Sequence, residues 1–217
     1  MPDLFSINTT AFVILGYPLS YLELVGTVFN VWSVWLVTRR RIETWPVGIV
    51  GIVLFLLLFY QIRLYADVFE QMYFLAASAV GWWRWRREPP ETETQTGAAY
   101  SRRRTLIAWI VVTAVGGLLL GAFTSRAHLL LPDVFQAPAA YPYLDAITTA
   151  MSFTATWLMA QKRIEHWIYW IVVDVIGIGL YFVQGVVFVA GLYVIFLILA
   201  IRGWLEWRAL QPQAVGA

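Results

Sequence analysis

Arg41-Ile42-Glu43-Thr44-Trp45 recurs as Arg163-Ile164-Glu165-His166-Trp167, with the shared Arg-Ile-Glu and tryptophan standing 122 positions apart. At that offset Tyr21 to Arg86 lies over Tyr143 to Arg208 without a gap. Tyr21-Leu22 meets Tyr143-Leu144, Thr27 meets Thr149, and Trp35-Leu36 meets Trp157-Leu158. At the far end Gly81-Trp82 meets Gly203-Trp204, and Trp85-Arg86 meets Trp207-Arg208. The chain therefore reads as one structural unit written twice.

The medium those units are built for follows from composition. Sixty per cent of the residues are apolar and 13% charged, against about a quarter charged in a soluble domain. A helix needs about 20 apolar residues, at 1.5 Å rise each, to cross roughly 30 Å of hydrocarbon. Seven blocks meet that need, near residues 21–38, 45–62, 66–85, 105–123, 143–160, 167–184 and 186–205. The expected fold is thus an all-α membrane protein with seven transmembrane helices.

Residues 21–86 form the first three-helix repeat, 87–104 a cytoplasmic linker, 105–123 a linker helix and 143–208 the second repeat. Four crossings separate the two starts, so both repeats enter from the same side. They are parallel, related by an axis along the membrane normal, in a 3+1+3 plan. Ala11 to Gly16 is apolar but too short to span, and Pro18 follows it, so residues 1–20 read as an interfacial segment. Met1 to Thr10 has no basic residue ahead of an apolar run and does not read as a secretory signal.

Basic residues set the orientation. Arg39 to Arg41, Arg84, Arg86, Arg87, Arg102 to Arg104, Lys162, Arg163, Arg202 and Arg208 fall on one side of the seven spans, Arg63 and Arg126 on the other. The crowded side is expected to be cytoplasmic, with the amino terminus outside and the carboxyl terminus inside. These arginines cluster at helix ends and the net charge is +2, which argues against a nucleic-acid partner. The bilayer is the expected environment.

Polar groups at membrane depth normally face the bundle interior or a water-filled cavity. Asp145, Thr148, Thr149, Ser152 and Thr156 follow helical spacing, and Glu23, Thr27 and Asn30 do so at equivalent places in the first repeat. A single hydroxyl also serves to hold helices together. Asn30, the repeat counterpart of Ser152, is the stronger site candidate. Trp167, Trp170, Asp174 and Tyr181 share one face of the sixth span, and a carboxylate framed by aromatic rings suits a flat organic cation. On the third span Asp67 and Glu70 start near the outer surface, while Gln71 and Tyr73 lie further in.

With no cysteine in the chain, disulfides and thiolate chemistry are excluded. The two histidines, His128 and His166, lie far apart in sequence without partners for a metal site or a nucleophile dyad. No enzyme activity, metal or cofactor is expected.

Trp45-Pro46-Val47-Gly48-Ile49, the run Phe59-Tyr60-Gln61-Ile62-Arg63-Leu64-Tyr65-Ala66-Asp67 and the later Gln71 and Tyr73 resemble the signature of the PnuC-type nicotinamide riboside transporters. Leu144-Asp145-Ala146, Lys162 to Trp170 and the closing Gly203-Trp204-Leu205-Glu206-Trp207 extend the resemblance over nearly the whole chain. The resemblance implies a SWEET-like fold, often trimeric, in a bacterial inner membrane. It also implies uptake of nicotinamide riboside by facilitated diffusion for NAD synthesis, with a cytoplasmic kinase trapping the imported nucleoside. Substrate contacts would fall on Gln71, Trp167, Trp170 and Asp174. Thiamine or another vitamin or nucleoside on the same fold, and a vitamin receptor that does not transport, are the competing readings.

Overall fold

The computed structural model describes residues 6–7, 9–14, 16–63, 65–87, 98–131 and 140–210. Seven long helices dominate it: α1 (Tyr21–Thr38), α2 (Thr44–Gln61), α3 (Tyr65–Arg87), α4 (Arg103–Thr124), α6 (Pro142–Ala160), α7 (His166–Val183) and α8 (Val187–Ala209). A single turn, α5 (Ala127–Leu130), follows α4. Five of the long helices, α1, α2, α4, α7 and α8, have the length and apolarity to cross a bilayer. The other two, α3 and α6, carry Asp67, Glu70 and a terminal arginine group, or Asp145 and a row of hydroxyls.

The amino-terminal segment holds regular structure that composition did not announce. Thr10–Ile14 (β1) pairs antiparallel with Tyr17–Ser20 (β2), and Gly16 takes the left-handed conformation in the turn, φ 83°. Of the central linker expected over 87–104, residues 88–97 lie outside the described residues, as do residues 1–5 of the lead-in.

Local chemistry explains several helix ends. Ser20 caps α1 by accepting from the Glu23 backbone N–H at 3.2 Å, the half of a Ser-x-x-Glu box that satisfies an orphan donor. Pro142 sits in the first turn of α6, where its missing N–H costs nothing. The turns leaving α1 and α6 are built alike. Arg40 and Lys162 are both left-handed, each with φ 53°. Arg41 N–H donates to Leu36 O and Arg163 N–H to Leu158 O, while Trp45 N–H donates to Ile42 O and Trp167 N–H to Ile164 O. Arg63 and Gly185, which leave α2 and α7, repeat the pattern with φ 61° and 77°.

The side chains at these two turns diverge. Glu43 points to solvent and pairs with Arg41 at 2.8 Å; that guanidinium holds the Glu43 carboxyl down at about 2. Glu165 is buried and accepts the Ser101 backbone N–H on both oxygens, at 3.1 and 3.2 Å. Ala99 bridges to Lys162 and Ile164 through its N–H and carbonyl, at 3.2 Å each. The chain entering α4 is thereby strapped across the second turn.

Packing closes the helices into a ring. α1 lies on α2, α2 on α3, α3 on α6, α6 on α7, α7 on α8 and α8 back on α1, with α4 outside against α6. At the basic end a buried aromatic cluster joins the ring: Trp45 meets Trp85 edge-on at 5.3 Å, Trp167 meets Trp207 edge-on at 5.9 Å, and Trp85 reaches Trp207 at 6.4 Å. The Trp207 indole donates to Val37 O at 3.0 Å, tying α8 to α1. Glycine admits the large rings. A Cβ on Gly81 would overlap the Trp45 indole, and one on Gly203 would overlap the Trp167 indole.

Candidate functional site

The interior polar groups divide into those consumed by packing and those left to face something else. Asn30 belongs to the first kind by position. Its carboxamide lies against α2, where a Cβ on Gly51 would come within 2.9 Å of its Oδ1. Ser152, 7% exposed, donates to Thr148 O at 2.9 Å, and Thr156 donates to Ser152 O at 2.9 Å. Hydroxyls bonded back to the preceding helical turn are already satisfied as donors, so this stripe offers a ligand acceptor lone pairs. Thr149 is half-buried on the same helix and Gln71 half-buried on α3.

Tyr73 closes the seam between α3 and α6. Its ring lies 4.1 Å from that of Phe153, its hydroxyl donates to Phe153 O at 2.9 Å, and Phe74 meets Phe153 edge-on at 5.8 Å. Trp167, 1% exposed, is packed among Trp45, Trp85, Ile164 and Trp207 at the basic end. Trp170, one turn further along α7, is only partly buried and borders both this cluster and the one formed by Ala155, Leu158 and Tyr169.

Deeper on the same face of α7, Asp174 is 4% exposed, and among the described residues no side chain pairs with it as a cation. Three further carboxylates, Asp67, Glu70 and Asp145, lie on α3 and α6. Asp67 senses the charge of Asp145 across the α3–α6 seam, and Glu70 senses Asp67 one turn away. The connecting elements are two tyrosines. Tyr181 stacks on Tyr193 with centroids 5.4 Å apart and planes 24° apart. Tyr181 lies within electrostatic reach of Asp67, Asp145 and Glu70, and Tyr193 within reach of Asp174 and Glu70. The Tyr193 ring fits over Gly177, where a Cβ would overlap it.

The structure therefore links Asp174 to Tyr181 through Tyr193, adds Asp67, Glu70 and Asp145, and places Asn30, Tyr73 and Trp167 in helix contacts. Tyr193 escaped the sequence reading although it is the position 122 residues after Gln71. The duplication itself was the signal that pointed to it.

Asp67, Glu70 and Asp145 meet at the α3–α6 seam, and Tyr181 and Tyr193 connect that group to Asp174 in a cradle of one sign, with no lysine, arginine or histidine among their described partners. Like charges at short range repel by several kcal/mol at a low effective dielectric. A cationic ligand relieves that repulsion, and the aromatic faces of Tyr181, Tyr193 and Trp170 suit a flat one. An anionic phosphate would meet the opposite field. Among the described residues no group of three histidines, aspartates and glutamates is disposed to hold a metal ion.

Comparison with known proteins places this chain among transporters. The family model described as nicotinamide mononucleotide transporter matches residues 20–209. The chain is 28% identical over 207 residues to the nicotinamide riboside transporter PnuC of Escherichia coli (strain K12), across 88% of this chain and 87% of that protein. It is 27% identical over 203 residues to the riboflavin/roseoflavin transporter RibM of Streptomyces davaonensis, across 93% of this chain and 91% of that one. A crystal structure of the vitamin B3 transporter PnuC overlays with a TM-score of 0.68 at 22% identity, over 88% of this chain and 81% of that chain; this last likeness bears on the fold alone.

Proposed function

We propose that this chain, which belongs to the nicotinamide mononucleotide transporter family, carries nicotinamide riboside across the membrane by facilitated diffusion, feeding NAD synthesis. Family membership makes it a multi-pass membrane transporter and not an enzyme. The observation that carries the choice of cargo is the buried Asp174 at the edge of a carboxylate–tyrosine cradle with no counter-cation among the described residues. Nicotinamide riboside is a pyridinium cation without phosphate. The mononucleotide adds a phosphate whose charge would have to enter that cradle unpaired, at a cost of several kcal/mol.

In this reading all seven long helices span, α3 and α6 included, because their polar groups face the ring interior. Residues 21–86 and 143–208 are two parallel repeats that rock about the site, and α4 links them in a SWEET-like 3+1+3 plan. The basic end is cytoplasmic in a bacterial inner membrane, with the amino terminus outside. Asp174, Trp170 and Tyr181 meet the nicotinamide ring, Gln71, Thr149 and Ser152 offer polar contacts to the ribose, and Asn30, Tyr73 and Trp167 bound the path where helices meet. The assembly is a homotrimer with one path per protomer, and a cytoplasmic kinase that phosphorylates the cargo makes uptake one-way.

The test is uptake into proteoliposomes of purified protein with no imposed gradient. Labelled nicotinamide riboside equilibrates across the membrane, and the mononucleotide does not. Equal entry of the mononucleotide would contradict the charge argument. Equilibration of thiamine alone would keep a cationic cargo but overturn the riboside.

A further inference from the structure

The ring has two seams between its halves, α3 against α6 and α8 against α1, and they are finished differently. At the first, Tyr73 and Phe153 stack at 4.1 Å and fill the space between helices. At the second, the positions 122 residues removed are Ile195 and Val31. Both line an open groove of about 870 Å³ instead of a plug.

The groove is apolar. Val28, Val31 and Trp32 of α1 face Leu192, Ile195 and Leu199 of α8 across it, and Phe12 and Leu19 of the hairpin lie at its other end. From Leu24 to Trp35 it runs along α1 for about 16 Å, at 1.5 Å per residue, roughly half the thickness of the hydrocarbon core. At the basic end its wall is Trp35, and the Arg39 guanidinium lies 5.3 Å from the centre of that ring. Arg202, on α8 just beyond Leu199, is held by Glu206 at 2.7 Å.

We propose that this groove is a binding site for an anionic phospholipid, with an acyl chain along the α1–α8 seam and the headgroup phosphate on Arg39. Three features select a lipid over other occupants. The groove has the length of one leaflet's chain, the Arg39 guanidinium stands at its basic end beside Trp35, and its lining carries no charge along the apolar length. The occupant is placed at the seam the two halves must flex about, where an acyl chain fills space that Tyr73 and Phe153 fill opposite. The proposal rests on the chain being embedded in a bilayer and is independent of the cargo.

The test is native mass spectrometry of the full chain released from mixed phosphatidylglycerol and phosphatidylcholine bilayers. Wild-type protein retains phosphatidylglycerol in preference. Arg39→Gln lowers that preference about fivefold, the weight of one basic residue at an anionic surface. Rebuilding the opposite seam with Val31→Phe and Ile195→Tyr abolishes retention. Gly191→Leu, at a groove position where a Cβ meets nothing within 4 Å, is the milder filler and lowers retention without touching the packed interior. Unchanged retention in both fillers, or unchanged preference in Arg39→Gln, overturns the proposal. A Gly191→Cys chain, otherwise free of cysteine, that cross-links to a second copy would overturn it in favour of a protein interface.

Discussion

Asp174→Asn weakens binding of nicotinamide riboside by about tenfold to a hundredfold, while binding of its neutral reduced form changes little. The estimate is the roughly 1.5–3 kcal/mol of a contact to a charged group. The exchange keeps the size and shape of the side chain and removes only its charge. Asp174 is 4% exposed, and Tyr193 lies within its electrostatic reach with no cation among its described partners, so its anion is costly to keep in the unloaded protein. The same substitution therefore leaves thermal stability unchanged or raises it. A fall in riboside affinity joined to a fall in melting temperature would point to a structural role; a fall in affinity with stability held marks a group that reads the cargo. Parallel titration calorimetry and thermal melts of both proteins separate the two.

Gly203→Ala destabilises the protein by about 1–3 kcal/mol, the usual cost of overpacking, and lowers the melting temperature accordingly. Helix propensity alone would favour alanine by up to about 1 kcal/mol, so the sign of the result decides whether the contact with Trp167 governs. A Cβ there overlaps the indole of a residue 1% exposed, itself wedged against Trp207 at 5.9 Å. Gly81→Ala, against Trp45, behaves the same way. Gly116→Ala on α4, where a Cβ meets nothing within 4 Å, is neutral or stabilising. Combining Gly203→Ala with Trp167→Phe recovers part of the loss, because residues in contact do not add. Equal melting temperatures for all three glycine variants would show that the tryptophan cluster is not the clamp described here.

The helical plan was legible because hydrocarbon thickness imposes a length on apolar blocks. The 122-residue offset carried further than expected, since it recurs in left-handed residues and turn hydrogen bonds, not only in side chains. What the sequence hid was whatever depended on a partner far along the chain. Ala11 to Gly16 looked like a short interfacial stretch, and only pairing with Tyr17–Ser20 makes Thr10–Ile14 a strand. Arg40, Arg63 and Lys162 do not look like left-handed residues, because that conformation is selected by the turn and not by the side chain. Tyr73 reads as an inward-facing polar aromatic, but its partner Phe153 lies 80 residues away.

The site shows the same division. Asp174 and Tyr181 stand out on an otherwise apolar helix, since an acid at that depth needs a reason. Tyr193 does not stand out, because α8 is apolar on nearly every side and gives no facing stripe. Trp167 was visible as an aromatic on the same face, but its burial beneath Gly203 depends on how closely two helices approach.

The most direct test of the central claim, that the site reads positive charge on a flat ring, compares two ligands of nearly one shape. Titration calorimetry of purified protein with nicotinamide riboside and with its neutral reduced form, dihydronicotinamide riboside, changes the charge of the ring and little else. The account predicts at least about tenfold tighter binding of the cation, with the gap closing in Asp174→Asn. Equal affinities in the unsubstituted protein would contradict it.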